Sequence, residues 1–201
     1  MDTTLIKYKK RHGYNMKIAD QIVDSSFSAI INAPIEKINI PEWVFSLTEA
    51  EYQSCSPAHI TAAKGIGADG RRMSVNVEVI GGNPMVQHYQ EEISKPHQLV
   101  LTSFSDVFTP TGRVVIHVQW ELSVKAINDK QTEFTNRVIT HATDEMMLIL
   151  AKQGIPFETF KAQRQPISIE HNRGETPLFA ASIERQTLGL ATGKADTIAE
   201  A

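Results

Sequence analysis

The chain has 201 residues, 41% of them hydrophobic, and 20 basic against 23 acidic side chains leave a formal charge of −3. At about 150 residues per domain one domain is expected, and a globule of that size holds a core without disulfide or metal. The composition excludes wholesale disorder, collagen and a disulfide scaffold, and the charge balance predicts no general attraction to nucleic acid phosphates or anionic lipid.

Residues 1–18 read as a flexible extension. Their basic stretch at 7–12 is followed by Gly13-Tyr14-Asn15, not by the apolar segment of a secretory signal. No apolar run reaches the roughly 18 residues of a membrane span. A first strand around residues 22–32 puts Val23, Phe27, Ala29 and Ile31 on one side. Residues 34–57 hold short helical pieces, one opened by the capping box Thr48-Glu49-Ala50-Glu51. Cys55, the only cysteine, lies in Ser54-Cys55-Ser56-Pro57, outside any nucleophile signature; an inert thiol in a reducing cytoplasm is expected.

A series of turn signals follows: Gly67-Ala68-Asp69-Gly70, Gly81-Gly82-Asn83-Pro84, Ser94-Lys95-Pro96, Thr109-Pro110-Thr111-Gly112 and Asn128-Asp129-Lys130. The β-rich stretches between them leave no room for crossover helices, so the middle of the chain is an antiparallel meander. Alternation is cleanest in Val114-Ile116-Val118-Trp120-Leu122-Val124, and Met73-Val75-Val77-Val79 repeats it. Both sets are expected on the buried face. Glu121 and Arg137 are expected to pair on the outer face. Gly65-Ile66-Gly67-Ala68-Asp69-Gly70 matches GxGxxG, but a strand follows it where a dinucleotide site needs a helix, so it reads as a hairpin turn.

After the last strand, Thr143 caps a helix over residues 144–151 that Gly154-Ile155-Pro156 breaks before a continuation to 165. Thr176-Pro177 opens a further helix over about 177–188, and the tail from Gly189 reads as mobile. The expected division is thus an extension at 1–18, a folded domain at 19–165 and a C-terminal extension at 166–201.

The order of strand, two short helices, meander and long helix resembles the helix-grip fold of the START and pollen-allergen superfamily, the SRPBCC group. Locally, Ile31-Asn32-Ala33-Pro34-Ile35-Glu36-Lys37-Ile38 is similar to that group's strand-to-helix junction, although Asn39 stands where an aromatic is frequent nearby. The resemblance implies an α+β fold with a curved antiparallel sheet of about seven strands wrapped around a C-terminal helix. It implies binding of a small hydrophobic ligand of lipid, polyketide or quinone type, or cyclase/dehydratase chemistry, and carries over no catalytic motif. Calycin-type barrels also enclose apolar ligands, but lack a long helix after the last strand.

The candidate site follows from polarity on the inner face. Gln87, Tyr89 and Glu91 alternate with Val86, His88 and Gln90; Thr102, Phe104 and Asp106 are mixed; Asn136 sits between Phe134 and Val138. Convergent polar groups in an apolar cavity mark a small-molecule site. The expected apolar wall is Val77, Phe104, Trp120, Met147 and Leu150, with Met146 beside them, and Tyr89, Glu91 and Asn136 orient the ligand. Glu91 is the candidate general acid or base, its pKa raised by burial. The seven histidines form no HxxxH pair; His59, His97, His141 and His171 read as structural or surface residues, and no metal or cofactor is called for. The helix carrying Leu178, Phe179, Ile183 and Leu188 offers a third possibility, a homodimer or protein-interaction surface.

Overall fold

The strand with the cleanest alternation sits at the middle of the sheet. In β7 (Gly112–Asn128), Val114, Val118, Trp120, Leu122 and Val124 are buried on one face. The computed structural model describes residues 8–11 and 14–190, with side chains from Ile18 onward. It comprises β1 (Tyr8–Arg11), β2 (Tyr14–Ile31), α1 (Ile40–Ser46), α2 (Glu49–Ser54), β3 (His59–Ile66), β4 (Arg72–Ile80), β5 (Asn83–Lys95), β6 (Gln98–Thr109), β7, β8 (Gln131–Thr143), α3 (Asp144–Lys152) and α4 (Phe157–Thr187). All neighbours are antiparallel, in the order β1-β2-β8-β7-β6-β5-β4-β3. The seven strands β2 to β8 are the expected meander and first strand, and β1 extends the edge beside β2. Residues 8–11 and 14–18, expected to be a flexible extension, are therefore strand; the expected mobile tail lies outside the described residues beyond 190.

Two of the three expected caps form, those at Thr48 and Thr143; Thr176 lies inside a continuous helix. Thr48 accepts from Glu51 N–H at 3.2 Å and Thr143 from Met146 N–H at 3.2 Å, each satisfying a free donor of the first helical turn. Asn39 caps α1 through Glu42 N–H at 3.1 Å. The β4–β5 connection is the two-residue turn Gly81-Gly82, with φ of +58° and +77°, a conformation that favours glycine and matches the twist of the strands. A Cβ on Gly81 would also stand 2.8 Å from Ile167 of α4, so this turn rests directly on the helix.

The helix gripped by the sheet differs from the one expected. α3 is a nine-residue helix, and α4 runs 31 residues without a break, through both Pro166 and Pro177. The separate helix expected at 177–188 is the C-terminal half of α4, and no boundary falls at 165. The prolines are exposed, so the carbonyls they leave unpaired face water, and the helix continues. Phe179, Ala180 and Ile183 are buried in the main core with Trp43, Phe134, Leu99, Leu101 and Leu122. The residues that motivated an interaction surface are thus partly consumed by the domain's own core; Leu178 and Leu188 remain exposed. No helix among the described residues is long and apolar enough to cross a membrane.

Candidate functional site

Helix and sheet do not close along their whole length. Towards the C-terminal half of α4 the interior is solid, sealed by α1 and α2: Trp43 donates its indole N–H to Ser182 at 2.9 Å, and Arg185 pairs with Glu51 at 2.5 Å. Towards its N-terminal half lies a cavity of about 300 Å³. Ile116 and Val138 point inward yet are only half-buried, because the hollow exposes them. From α4 the lining includes Phe160, Arg164, Ser168, His171, Glu175 and Phe179, a helical stripe at spacings of three and four residues. Arg164 reaches the Ile80 carbonyl at 3.3 Å near the mouth, and burial lowers its pKa.

At the inner end, four side chains from three elements converge. His59 begins β3, Glu78 is on β4, and His171 and Glu175 are one turn apart on α4. His59 Nε2 lies 3.5 Å from Glu78 Oε2 and 3.3 Å from Glu175 Oε2; His171 Nε2 lies 3.1 and 3.2 Å from the same two oxygens. The side chains are 1%, 5%, 15% and 7% exposed for His59, Glu78, His171 and Glu175, so these charges depend on one another more than on water. Burial opposes charge on His171, but hydrogen bonds to Glu175 and Glu78 outweigh it and hold its pKa well above the ordinary imidazole value. Burial likewise opposes ionisation of Glu175, and hydrogen bonds from His171 and His59 overcome it and hold the carboxyl below its usual range.

The surroundings fix these groups. His59 Nδ1 lies 2.7 Å from the Tyr52 carbonyl, and its ring stacks on Tyr52 at 3.9 Å. Trp120 donates its indole N–H to Asn136 Oδ1 at 2.8 Å; Asn136 in turn donates to Glu175 Oε1 at 3.0 Å. Asn172 donates to Ser25 Oγ at 2.7 Å, and Thr176 to the Asn172 carbonyl at 2.6 Å. The polar buried side of α4 is thereby tied to β2, β7 and β8.

Of the expected site residues, Tyr89 and Trp120 line the cavity, their rings 5.3 Å apart. Asn136 stands behind the lining and positions Trp120 and Glu175. The others lie elsewhere. In β4 the buried residues are Ser74, Asn76 and Glu78, so Val77 falls on the opposite, outer face. Phe104 alternates with Ser103, Ser105 and the cavity-lining Val107, and packs its ring 5.3 Å from His117 on the other face. Met147 is half-buried and Leu150 lies in a satellite core with Ile22, Val23 and Met146; of the three α3 residues only Met146 reaches the cavity. Glu91 lies outside the cavity, accepting from Arg72 N–H and Nε at 3.0 Å each. Burial raises its pKa, but the Arg72 contacts prevail and the net shift is downward, opposite to the shift expected of a buried acid. The expected Glu121–Arg137 pair is present at 3.3 Å, and burial pushes the Cys55 thiol up to about 12.

His59 and His171, expected to be structural or surface residues, meet Glu78 and Glu175 only because the fold brings β3, β4 and α4 together. The signal present in the sequence is His171-x-x-x-Glu175, which sets both groups on one helix face.

This is a helix-grip α+β fold. No protein-family model matches the sequence, and neither does any curated protein. Among solved structures, the chain is similar to the ZhuI aromatase/cyclase from Streptomyces sp. R1128, at TM-score 0.60 and 8% identity over 84% of this chain and 98% of that one. It is similar also to a START superfamily protein from Mycobacterium smegmatis, at 0.51 and 15% over 86% and 100%. A third is the di-domain ARO/CYC StfQ from the steffimycin biosynthetic pathway, at 0.52 and 8% over 84% of this chain and 54% of that one. At these identities the likeness is one of fold.

Proposed function

We propose that the protein binds a small, mostly apolar molecule with an oxygen-bearing polar end, its body against Trp120, Ile116, Val138 and Phe160 and its polar end at the histidine–glutamate cluster. The observation that carries this reading is the cavity itself, whose walls are apolar and whose floor is polar and pre-organised. Its volume lies at the lower end of the roughly 300–1,000 Å³ of small-molecule sites. Titration with the fluorophore anilinonaphthalene sulfonate tests it. The wild type takes up one equivalent, and Ile116→Trp, which fills the hollow, binds at least about tenfold more weakly, the affinity equivalent of 1.4 kcal/mol. Equal binding by both proteins contradicts the reading.

A second reading is favoured by the presence of ionisable groups on that floor: a cyclase/dehydratase-like enzyme in which the cluster moves protons. Glu91 has no part in it. Two structural neighbours, the ZhuI aromatase/cyclase and the di-domain ARO/CYC StfQ, support this alternative. With a polyketide-type substrate, Glu175→Gln is expected to lose turnover while retaining ligand; unchanged turnover excludes the cluster from catalysis.

A further inference from the structure

The four Nε2 and Oε2 atoms at the cavity floor alternate nitrogen, oxygen, nitrogen, oxygen, with successive gaps of 3.3, 3.2, 3.1 and 3.5 Å, and all lie within 4.8 Å of one another. Two donors on a tetrahedral ion, with bonds of about 2.1 Å, stand about 3.4 Å apart. The gaps match that spacing on every His–Glu edge.

Two further observations fit a metal ion there. The Tyr52 carbonyl only accepts, so the hydrogen of a neutral His59 sits on Nδ1. Its Nε2 then directs a lone pair at two carboxylate oxygens, an arrangement that needs a cation or a second proton between them. That Nδ1–H to carbonyl contact is also the support that metal-bound imidazoles take, and Asn136 supplies the equivalent for Glu175. In charge, two buried carboxylates and two neutral imidazoles balance one divalent ion.

We propose that His59, Glu78, His171 and Glu175 bind one divalent first-row transition-metal ion at the floor of the cavity. Two imidazole nitrogens favour zinc or iron over magnesium or calcium, which prefer all-oxygen shells. The inference is independent of any organic ligand, because it is tested with metal alone.

The experiment is a zinc titration of chelator-stripped full-length protein, read by calorimetry and by elemental analysis after dialysis. One ion per chain is expected, with affinity falling at least about a hundredfold in Glu175→Gln and in His171→Ala, beyond the 10–100-fold typical of outer-shell changes. Nitrogen-15 NMR of the wild-type imidazoles gives a readout that does not depend on the variants folding: zinc is expected to move the Nε2 signals of His59 and His171 and leave the other five histidines in place. No stoichiometric zinc in the wild type, affinity unchanged in folded variants, or shifts confined to other histidines overturns the proposal. Loss of zinc binding leaves the fluorophore result untouched, so failure here is distinct from failure of the ligand reading.

Discussion

The two ends of the space between α4 and the sheet are built differently from the same elements. At the C-terminal end, Phe179, Ala180 and Ile183 are buried with Phe134, Trp43 and Leu122 in one apolar cluster. At the N-terminal end, the same helix presents Arg164, Ser168, His171 and Glu175 to strands that answer with Asn76, Glu78, Gln87 and Tyr89. The first end supplies cohesion and the second gives up packing for a chemically furnished space. Apolar burial holds the fold at one end, so the other end is free to be hollow and polar.

The largest expected difference is in core truncations. Phe134→Ala, at a fully buried residue of the solid end, should cost about 3–5 kcal/mol. Val138→Ala, at the half-exposed wall of the hollow, should cost at most about 1 kcal/mol, because it removes only part-buried methyl groups and opens little new void. Urea unfolding measures both, and equal losses would mean that the two ends pack alike.

Next in size is the hydrogen-bonded seam between the ends. Asn136→Ala leaves the Trp120 indole N–H and Glu175 Oε1 without their shared partner, and should cost about 1–3 kcal/mol. Asn136→Asp keeps the acceptor for Trp120 but sets a second carboxylate beside Glu175, and should be no better.

The cluster also predicts a pH dependence for metal-free protein. The pKa of His171 is raised above its ordinary 6.5, so its contribution to stability is full below that value and is lost as pH rises through the higher folded pKa. The pKa of Glu175 is lowered from 4.5, so its contribution is present above that value and lost as pH falls through the lower one. Tyr52 and Tyr89, the phenols nearby, have pKa values pushed further up by burial, so they stay neutral across this range. The cluster's contribution should therefore be greatest between 4.5 and 6.5, and His171→Ala should flatten the decline on the alkaline side. The urea midpoint followed against pH checks this, and an undiminished alkaline decline in the variant contradicts it.

The smallest effect belongs to the outer face. Arg137 pairs with Asp24 at 2.8 Å and with Glu121 at 3.3 Å, but its side chain is 40% exposed. Arg137→Ala should cost less than about 1 kcal/mol, and less again at high salt.

The same contrast explains what the sequence made legible. Strands, turns, caps and the fold were readable because they rest on alternation, glycine and proline placement, and short polar caps, all local signals. β7 and β4 show where that stops. Both alternate apolar and polar residues, yet β7 buries its apolar set while β4 buries Ser74, Asn76 and Glu78, because its inner face borders the cavity floor. Hydrophobic alternation fixes the period of a strand; which face turns inward depends on what the interior is for. α4 was hidden for a related reason. Its cavity-facing stripe from Arg164 to Glu175 carries no apolar signal, and Pro166, Gly174 and Pro177 imitate a break on its exposed side. Glu91 misled because its phase in β5 is the inner one, but it lies beyond the cavity where Arg72 claims it.

Native mass spectrometry of freshly purified protein, wild type beside Ile116→Trp and each with one equivalent of anilinonaphthalene sulfonate, tests the hollow end most directly. The account predicts a one-to-one complex, or a retained small molecule in its place, for the wild type and bare protein for the variant. Bare wild type, or equal occupancy in both, would contradict it.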